Sequence, residues 1–120
     1  MLHCFAFAAL ALLLAHTPAT AQEKLKVVVT FSILADFVKN VGGDRVTVAA
    51  LVGANSDAHV YQPTPGDAKT LSEAKRVFAN GLGFEGWINR LVKASGTKAP
   101  MIVATRGIKP RKAEDRKSVV

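Results

Sequence analysis

Residues 24–52 read KLKVVVTFSILADFVKNVGGDRVTVAALV and combine two kinds of apolar pattern. The β-branched run at 24–30 predicts a first strand, and the run at 45–52 predicts a second. Between them, apolar residues recur at helical spacing after Ser32, the expected N-cap, and Gly42-Gly43 ends the pattern. A strand, a crossover helix and a second strand form a parallel βαβ unit, so this stretch predicts an α/β fold.

The same alternation continues downstream. Thr64 at the N-cap and a proline directly after it predict a second helix over 64–75, and RVFAN at 76–80 predicts a third strand. An apolar stripe that begins at Phe84 predicts a third helix ending near Gly96, and PMIVAT at 100–105 predicts a fourth strand. We therefore expect a four-stranded parallel sheet of order 2-1-3-4 with helices on both faces. The first helix would cover one face, and the other two helices would cover the opposite face.

Two flanking segments differ from this core. Residues 1–21 predict a secretory signal peptide, because an apolar run precedes an A-x-A cleavage signal at 19–21; a buried N-terminal helix is the alternative. Cys4 would leave with the leader, and the mature chain would have no disulfide and no thiolate ligand. The expected compartment is the periplasm. The remaining chain divides into an α/β lobe at 22–107 and a basic tail at 108–120, which is predicted to be disordered.

The charge distribution argues against nucleic acid as a partner. The formal net charge is +7, but six of the 16 basic residues lie in the last 15 positions. The rest of the chain has 10 basic and 7 acidic residues, with no basic stripe and no interleaved aromatic residues. No nucleic-acid surface is therefore predicted.

One histidine lies in the segment GANSDAHVYQPTP at 53–65. This loop leaves the carboxyl end of the second strand, the edge at which parallel sheets bind ligands. His59 is the only histidine outside the predicted leader, and neutral imidazole is the commonest protein ligand for zinc-like metals. Asp57 is close enough in sequence to be an anionic neighbour. A lone loop histidine is more often merely solvated, and one imidazole supplies only one of the roughly four contacts of a tetrahedral site.

A glycine motif offers a competing function. Gly81, Gly83 and Gly86 spell G-x-G-x-x-G after a predicted strand, as in a Rossmann-like nucleotide-binding domain. However, the motif follows the third strand, and the next strand ends at 104–106 without an acidic residue for a ribose. The alternative is a tight turn with close helix–sheet packing. No second histidine of the mature chain could complete a catalytic triad, so no enzyme is predicted.

Three segments carry a resemblance to a known family. FSILADFVKNVGGDRV, GANSDAHVYQPTPGDAKTL and ANGLGFEGWINRLVKASG resemble the periplasmic metal-binding proteins of zinc and manganese ABC importers, also called cluster-A or adhesin-type solute-binding proteins. The resemblance implies two α/β lobes that clamp Zn²⁺ or Mn²⁺ between them and deliver it to an ABC permease in the membrane. It implies that His59 is the first metal ligand. The sequence does not choose between the two metals.

The resemblance also implies that the remaining ligands follow residue 120: a second histidine, a histidine or glutamate, and an aspartate. The chain thus resembles the first lobe, and a truncation or frameshift is expected. Downstream DNA that encodes no further ligand segment in any frame would remove that hypothesis. Without a second lobe, part of the sheet face carrying the first helix should be exposed and apolar.

Overall fold

The computed structural model describes residues 21–111, so residues 1–20 of the predicted signal peptide and residues 112–120 of the basic tail lie outside the described residues. The elements are β1 (Leu25–Phe31), α1 (Ser32–Gly42), a 3-10 turn (Gly43–Arg45), β2 (Val46–Val52), α2 (Pro65–Ser72), β3 (Arg76–Ala79), α3 (Ile88–Ser95) and β4 (Met101–Val103). All strand pairs are parallel, and their order is β2-β1-β3-β4. The predicted α/β class and strand order are confirmed.

Side chains of β1 divide between two apolar clusters because successive residues of a strand point to opposite faces. Val27 and Val29 pack with Leu34 and Ala35 of α1. The second cluster contains Val28 together with residues of β2, β3, α2 and α3. The helices therefore lie on both faces as predicted, α1 on one and α2 with α3 on the other.

Several element ends differ from the predictions. Ser32 is the first residue of α1 rather than its cap; Phe31 occupies the N-cap position and makes no side-chain capping bond. Thr64 is the N-cap of α2 as predicted, but this helix ends at Ser72 rather than near residue 75. There the backbone turns, and the amide of Ala74 donates to the carbonyl of Leu71. Strands β3 and β4 are also shorter than predicted.

The prediction that the third helix includes Phe84 is wrong. Residues 82–87 form turns, and α3 begins at Ile88. Gly81, Leu82 and Gly83 have positive φ angles of 88°, 56° and 76°, and the following residues form turns closed by bonds from the amide of Phe84 to the carbonyl of Gly81 and from the amide of Ile88 to the carbonyl of Glu85. The apolar spacing still predicted burial correctly from Trp87 onward, since that side chain is 3 % exposed.

The face covered by α1 retains a large exposed apolar area. Ile33, Phe37 and Val41 are 58 %, 61 % and 85 % exposed. Beside them runs an apolar groove of about 580 Å³ between α1 and the sheet. This agrees with the expected exposed patch. Among residues 21–111, the helices are all too short or too polar to cross a bilayer.

Candidate metal site

The candidate site lies at the carboxyl edge of the sheet, where the loop at 53–64 follows β2. This segment contains neither helix nor strand. The end of β1 and the loop after β3 lie beside it, because parallel strands end at a common edge. The ring of Phe84, from the loop after β3, contacts both Phe31 and His59, with centroid separations of 4.9 and 4.4 Å.

Asp57 fixes the orientation of His59. Its Oδ1 accepts the backbone amide of His59 at 2.8 Å and lies 3.1 Å from Nδ1 of the same residue. These contacts lower the pKa of the Asp57 carboxyl, the backbone hydrogen bond contributing most. If Nδ1 carries the proton that Asp57 accepts, Nε2 has the free lone pair that a metal requires.

Aromatic residues hold the loop from the other side. The edge-on ring of Phe84 packs against the imidazole at an interplanar angle of 68°. The indole Nε1 of Trp87 donates to the carbonyl of Ala58 at 2.6 Å, one residue before the histidine. The ring of Tyr61 packs against Trp87 at 5.2 Å. His59 therefore follows a buried, hydrogen-bonded residue, although its own side chain is 61 % exposed.

The start of α2 anchors the far end of the loop. Oδ2 of Asp67 accepts the amide and the hydroxyl of Thr64 at 2.7 and 2.9 Å and the hydroxyl of Tyr61 at 3.0 Å. Thr64 in turn accepts the amide of Asp67, which completes a capping box. Burial raises the pKa of Tyr61, and the hydrogen bond to Asp67 raises it further. The loop around Tyr61 thus has a defined hydrogen-bonded anchor.

A buried carboxylate occupies the inside of the glycine turn. Glu85 is 5 % exposed; its Oε1 accepts the Thr30 hydroxyl and the Asn80 amide, both at 2.6 Å. Its Oε2 accepts the amide of Gly81 at 3.1 Å. In a nucleotide-binding loop such amides would face a phosphate, whereas here the chain's own anion takes them. The glycine turn is therefore structural.

Close packing explains the first glycine of this turn. A Cβ at Gly81 would collide with the side chain of Val103 and lie 2.8 Å from Oγ1 of Thr105. The turn thus needs glycine for its conformation and for its approach to β4. Helical spacing assigns Phe84 to a helix and gives Glu85 no role; the acidic residue directly after G-x-G-x is the sequence signal for its contact with the turn.

The described residues bring one strong candidate ligand, His59, to this edge. Within residues 21–111, no three histidine, cysteine, aspartate or glutamate side chains are grouped so that they could hold a metal ion. Asp57 is the acidic neighbour of His59, but its Oδ1 is already committed to the loop. The His59 imidazole is oriented by Asp57 and exposed at the carboxyl edge of the sheet. A complete metal site there would need further ligands.

These features define a parallel α/β domain with a single imidazole at the edge where such sheets bind ligands. The family model for the periplasmic zinc-uptake complex component A, ZnuA, matches residues 27–119. The chain belongs to this family.

Relatives are found among manganese and zinc proteins. The manganese ABC transporter substrate-binding lipoprotein PsaA of Streptococcus pneumoniae is 42 % identical over 78 residues, covering 62 % of this chain and 25 % of that protein. A Mn-bound periplasmic metal binding protein from candidatus liberibacter asiaticus has a TM-score of 0.70 and 34 % identity, covering 79 % of this chain and 36 % of that one. A crystal structure of ZnuA has a TM-score of 0.69 and 34 % sequence identity, and the match covers 75 % of this chain and 35 % of that one.

The chain spans about a quarter of the length of the curated relatives it matches and about a third of the solved structures. The family match and the structural similarity establish the family and the fold.

Proposed function

We propose that this chain supplies the amino-terminal lobe, residues 22–107, of a solute-binding protein that captures Zn²⁺ or Mn²⁺ for an ABC importer. The observation that carries the proposal is the geometry of His59 at the carboxyl edge of the sheet. Asp57 orients its imidazole, Phe84 supports the ring, and Nε2 is left available. A metal ligand needs this combination of fixed orientation and a free lone pair.

In this proposal His59 is the first ligand of a site enclosed between two lobes, and the other ligands come from the second lobe. The metal is cargo, which a membrane permease receives. The family match and the manganese and zinc proteins named above support both parts of the proposal. The role is one of binding and transfer, and no residue at this edge is assigned to catalysis.

The proposed location is the periplasmic or extracellular side of a membrane. The family model is described as periplasmic and several relatives are named lipoproteins, which supports an exported protein. The proposed leader at 1–21 and its A-x-A signal are consistent with export. Sequencing the amino terminus of the chain recovered from a periplasmic extract tests the leader; a start at Gln22 is expected.

Metal titration tests the role of His59. We expect the mature chain, from residue 22 onward, to bind Zn²⁺ weakly, without a submicromolar 1:1 site, because one imidazole cannot replace four ligands. Changing His59→Ala should abolish the zinc-dependent shifts at this weak site. The matched control changes Gln62→Ala, an exposed residue of the same loop, and should leave that site unaltered. A tight stoichiometric site, or weak binding that survives in the His59 variant, would refute the assignment.

The nucleotide-binding alternative is not favoured, because Glu85 fills the anion position of the glycine turn. A nucleotide phosphate would have to displace a buried carboxylate from three donors. NADPH binding that survived His59→Ala but was lost in Gly83→Val would reverse this conclusion.

A further inference from the structure

Glu85 is a buried carboxylate to which the proposed function assigns no part. It is 5 % exposed, and its two oxygens accept three hydrogen bonds, from the hydroxyl of Thr30 and the backbone amides of Asn80 and Gly81. A buried carboxylate is stable only while such donors stay in place, because each lost bond leaves part of its charge unsatisfied. The carboxylate therefore fixes the start of the glycine turn relative to the end of β1.

The residues on either side of Glu85 hold the histidine loop. Phe84 directly precedes it, and the ring of Phe84 packs against the His59 imidazole with a centroid separation of 4.4 Å. Trp87 follows two residues later, and its indole Nε1 donates to the carbonyl of Ala58 at 2.6 Å. The turn thus contacts both the ring of the proposed ligand and the backbone just before it.

These restraints differ from the one that Asp57 provides. Asp57 lies two residues before His59, so its bonds orient the imidazole within the loop and do not tie the loop to the sheet. The turn makes that connection, since Trp87 and Ala58 are 29 residues apart and Glu85 bonds to β1 across 55 residues. Both restraints matter, because a metal ligand must be held to within about 0.5 Å of its binding position.

We propose that Glu85 is a positioning residue of the metal site: by fixing the turn, it determines where Phe84 and Trp87 hold His59. The inference rests on the proposed function, in which His59 is the first metal ligand. Both oxygens of Glu85 are already bonded to the chain, so this residue acts through its neighbours rather than as a ligand. The glycine turn thereby gains a role beyond its own closure.

NMR of the His59 ring in the metal-free mature chain, from residue 22 onward, tests the positioning. An aromatic ring shifts the signals of protons close to it, so the His59 signals report the contact with Phe84. Phe84→Leu removes the ring and supplies the signal positions of an unsupported imidazole. We expect Glu85→Ala to move the His59 signals from the parent positions toward those of Phe84→Leu, because the turn is no longer fixed to β1.

Glu85→Gln is a second, milder variant, and it decides the comparison if Glu85→Ala does not fold. Its oxygen can still accept the Thr30 hydroxyl, whereas its amide nitrogen cannot accept the amide of Gly81. The His59 signals of this variant should therefore lie between those of the parent and those of Phe84→Leu.

Two controls separate positioning from loss of stability or charge. Val27→Ala leaves a cavity in the opposite apolar cluster, which contains neither Phe84 nor Trp87, and lowers stability there. Glu73→Gln removes a negative charge at an exposed position. The His59 signals of both controls should stay at the parent positions.

Zinc titration of the same samples measures the consequence for binding. We expect about 10-fold weaker zinc binding at His59 in Glu85→Ala, which is the lower end of what the loss of a supporting group costs. Both controls should retain the affinity of the parent chain.

Three results would overturn the proposal: His59 signals that stay at the parent positions in the folded Glu85 variants, equal movement in Val27→Ala, or an unchanged zinc affinity where the signals have moved. The two measurements also keep this proposal apart from the proposed function. If the parent chain shows no zinc response at His59, the proposed function fails, whereas the metal-free comparison still shows whether Glu85 places the ring.

Discussion

His59 is constrained on two sides before any metal arrives. Asp57 holds its amide and Nδ1, and the ring of Phe84 lies edge-on against it at 4.4 Å. Because the imidazole is already oriented, less rotamer freedom is lost when a metal binds than for a free surface histidine. The structure thus gives an exposed loop histidine the fixed orientation that the proposed ligand role requires.

Asp57→Ala should weaken zinc binding at His59 by about 10-fold or more, because the imidazole loses the partner that fixes its tautomer. Asp57→Asn keeps an oxygen for the backbone amide of His59 but loses the charge. Its zinc affinity should therefore lie between those of the parent and the alanine variant. The measurement is the zinc-dependent shift of the His59 ring signals by NMR. Equal affinities in the parent and Asp57→Ala would show that the contact has no role in binding.

The raised pKa of Tyr61 provides a test of the loop structure, because it depends on burial of the phenol and on its hydrogen bond to Asp67. The folded chain holds the phenol proton more tightly than the unfolded chain, whose phenol ionises near 10.0. This stabilising contribution is therefore present below about pH 10 and is lost as pH rises through the folded-state pKa. Tyr61 is the only tyrosine, so absorbance at 295 nm follows it directly.

We expect the titration midpoint of Tyr61 to lie above that of the denatured chain. Asp67→Asn removes the negative charge beside the phenol but keeps a hydrogen-bond acceptor for the capping box. This variant should move the midpoint back down, although burial, the larger cause, remains. A parent midpoint at or below the denatured value would contradict the Tyr61–Asp67 contact.

Among the structural elements, the turn between β3 and α3 shows where local patterns fail. The spacing of Phe84, Trp87 and Ile88 matches a helix, and it predicted the burial of the last two. It did not predict the turn, because that depends on positive φ angles and on a bond between Glu85 and Thr30, 55 residues apart. The spacing of apolar residues within one segment carries no information about a contact between residues so far apart in the sequence.

Glu85→Ala should destabilise the fold by about 2 to 4 kcal/mol, because the Thr30 hydroxyl and two backbone amides lose their acceptor in a buried position. Glu85→Gln keeps one oxygen and should cost less. Glu73→Ala, at an exposed position, is the control and should stay within about 0.5 kcal/mol. Urea unfolding provides the comparison; equal effects of Glu85→Ala and Glu73→Ala would mean that the buried network does not stabilise the turn.

For the whole molecule, the sequence correctly predicted the strand order and the position of the His59 loop, because chain geometry determines both. A parallel sheet of order 2-1-3-4 follows from short connections and right-handed crossovers, and this order places the loop of His59 at the ligand edge. Spacing predicted Asp57 as an anionic neighbour of His59, and the 3.1 Å contact confirms it; the contact with Phe84 depends on side-chain placement and could not be derived from spacing. Nor could spacing show how far the exposed apolar face of α1 would extend.

That exposed face leads to a prediction about self-association. Changing Phe37→Gln and Val41→Gln should reduce association of the full chain, because both side chains are largely exposed and their removal takes apolar area from the surface. Stability should change by no more than about 0.5 kcal/mol. Light scattering and thermal unfolding of the same samples measure the two effects.

Leu34→Gln, on the same helix, is the control for burial. Leu34 is 7 % exposed and packs against β1, so its replacement by a polar residue should cost about 2 kcal/mol or more. All three chains carry the same residues 1–20, so differences in association between them arise from the substitutions alone. If the Phe37 and Val41 variant associates as strongly as the parent, the exposed face of α1 does not cause the self-association. The apolar run at 5–15 would then be the next segment to change.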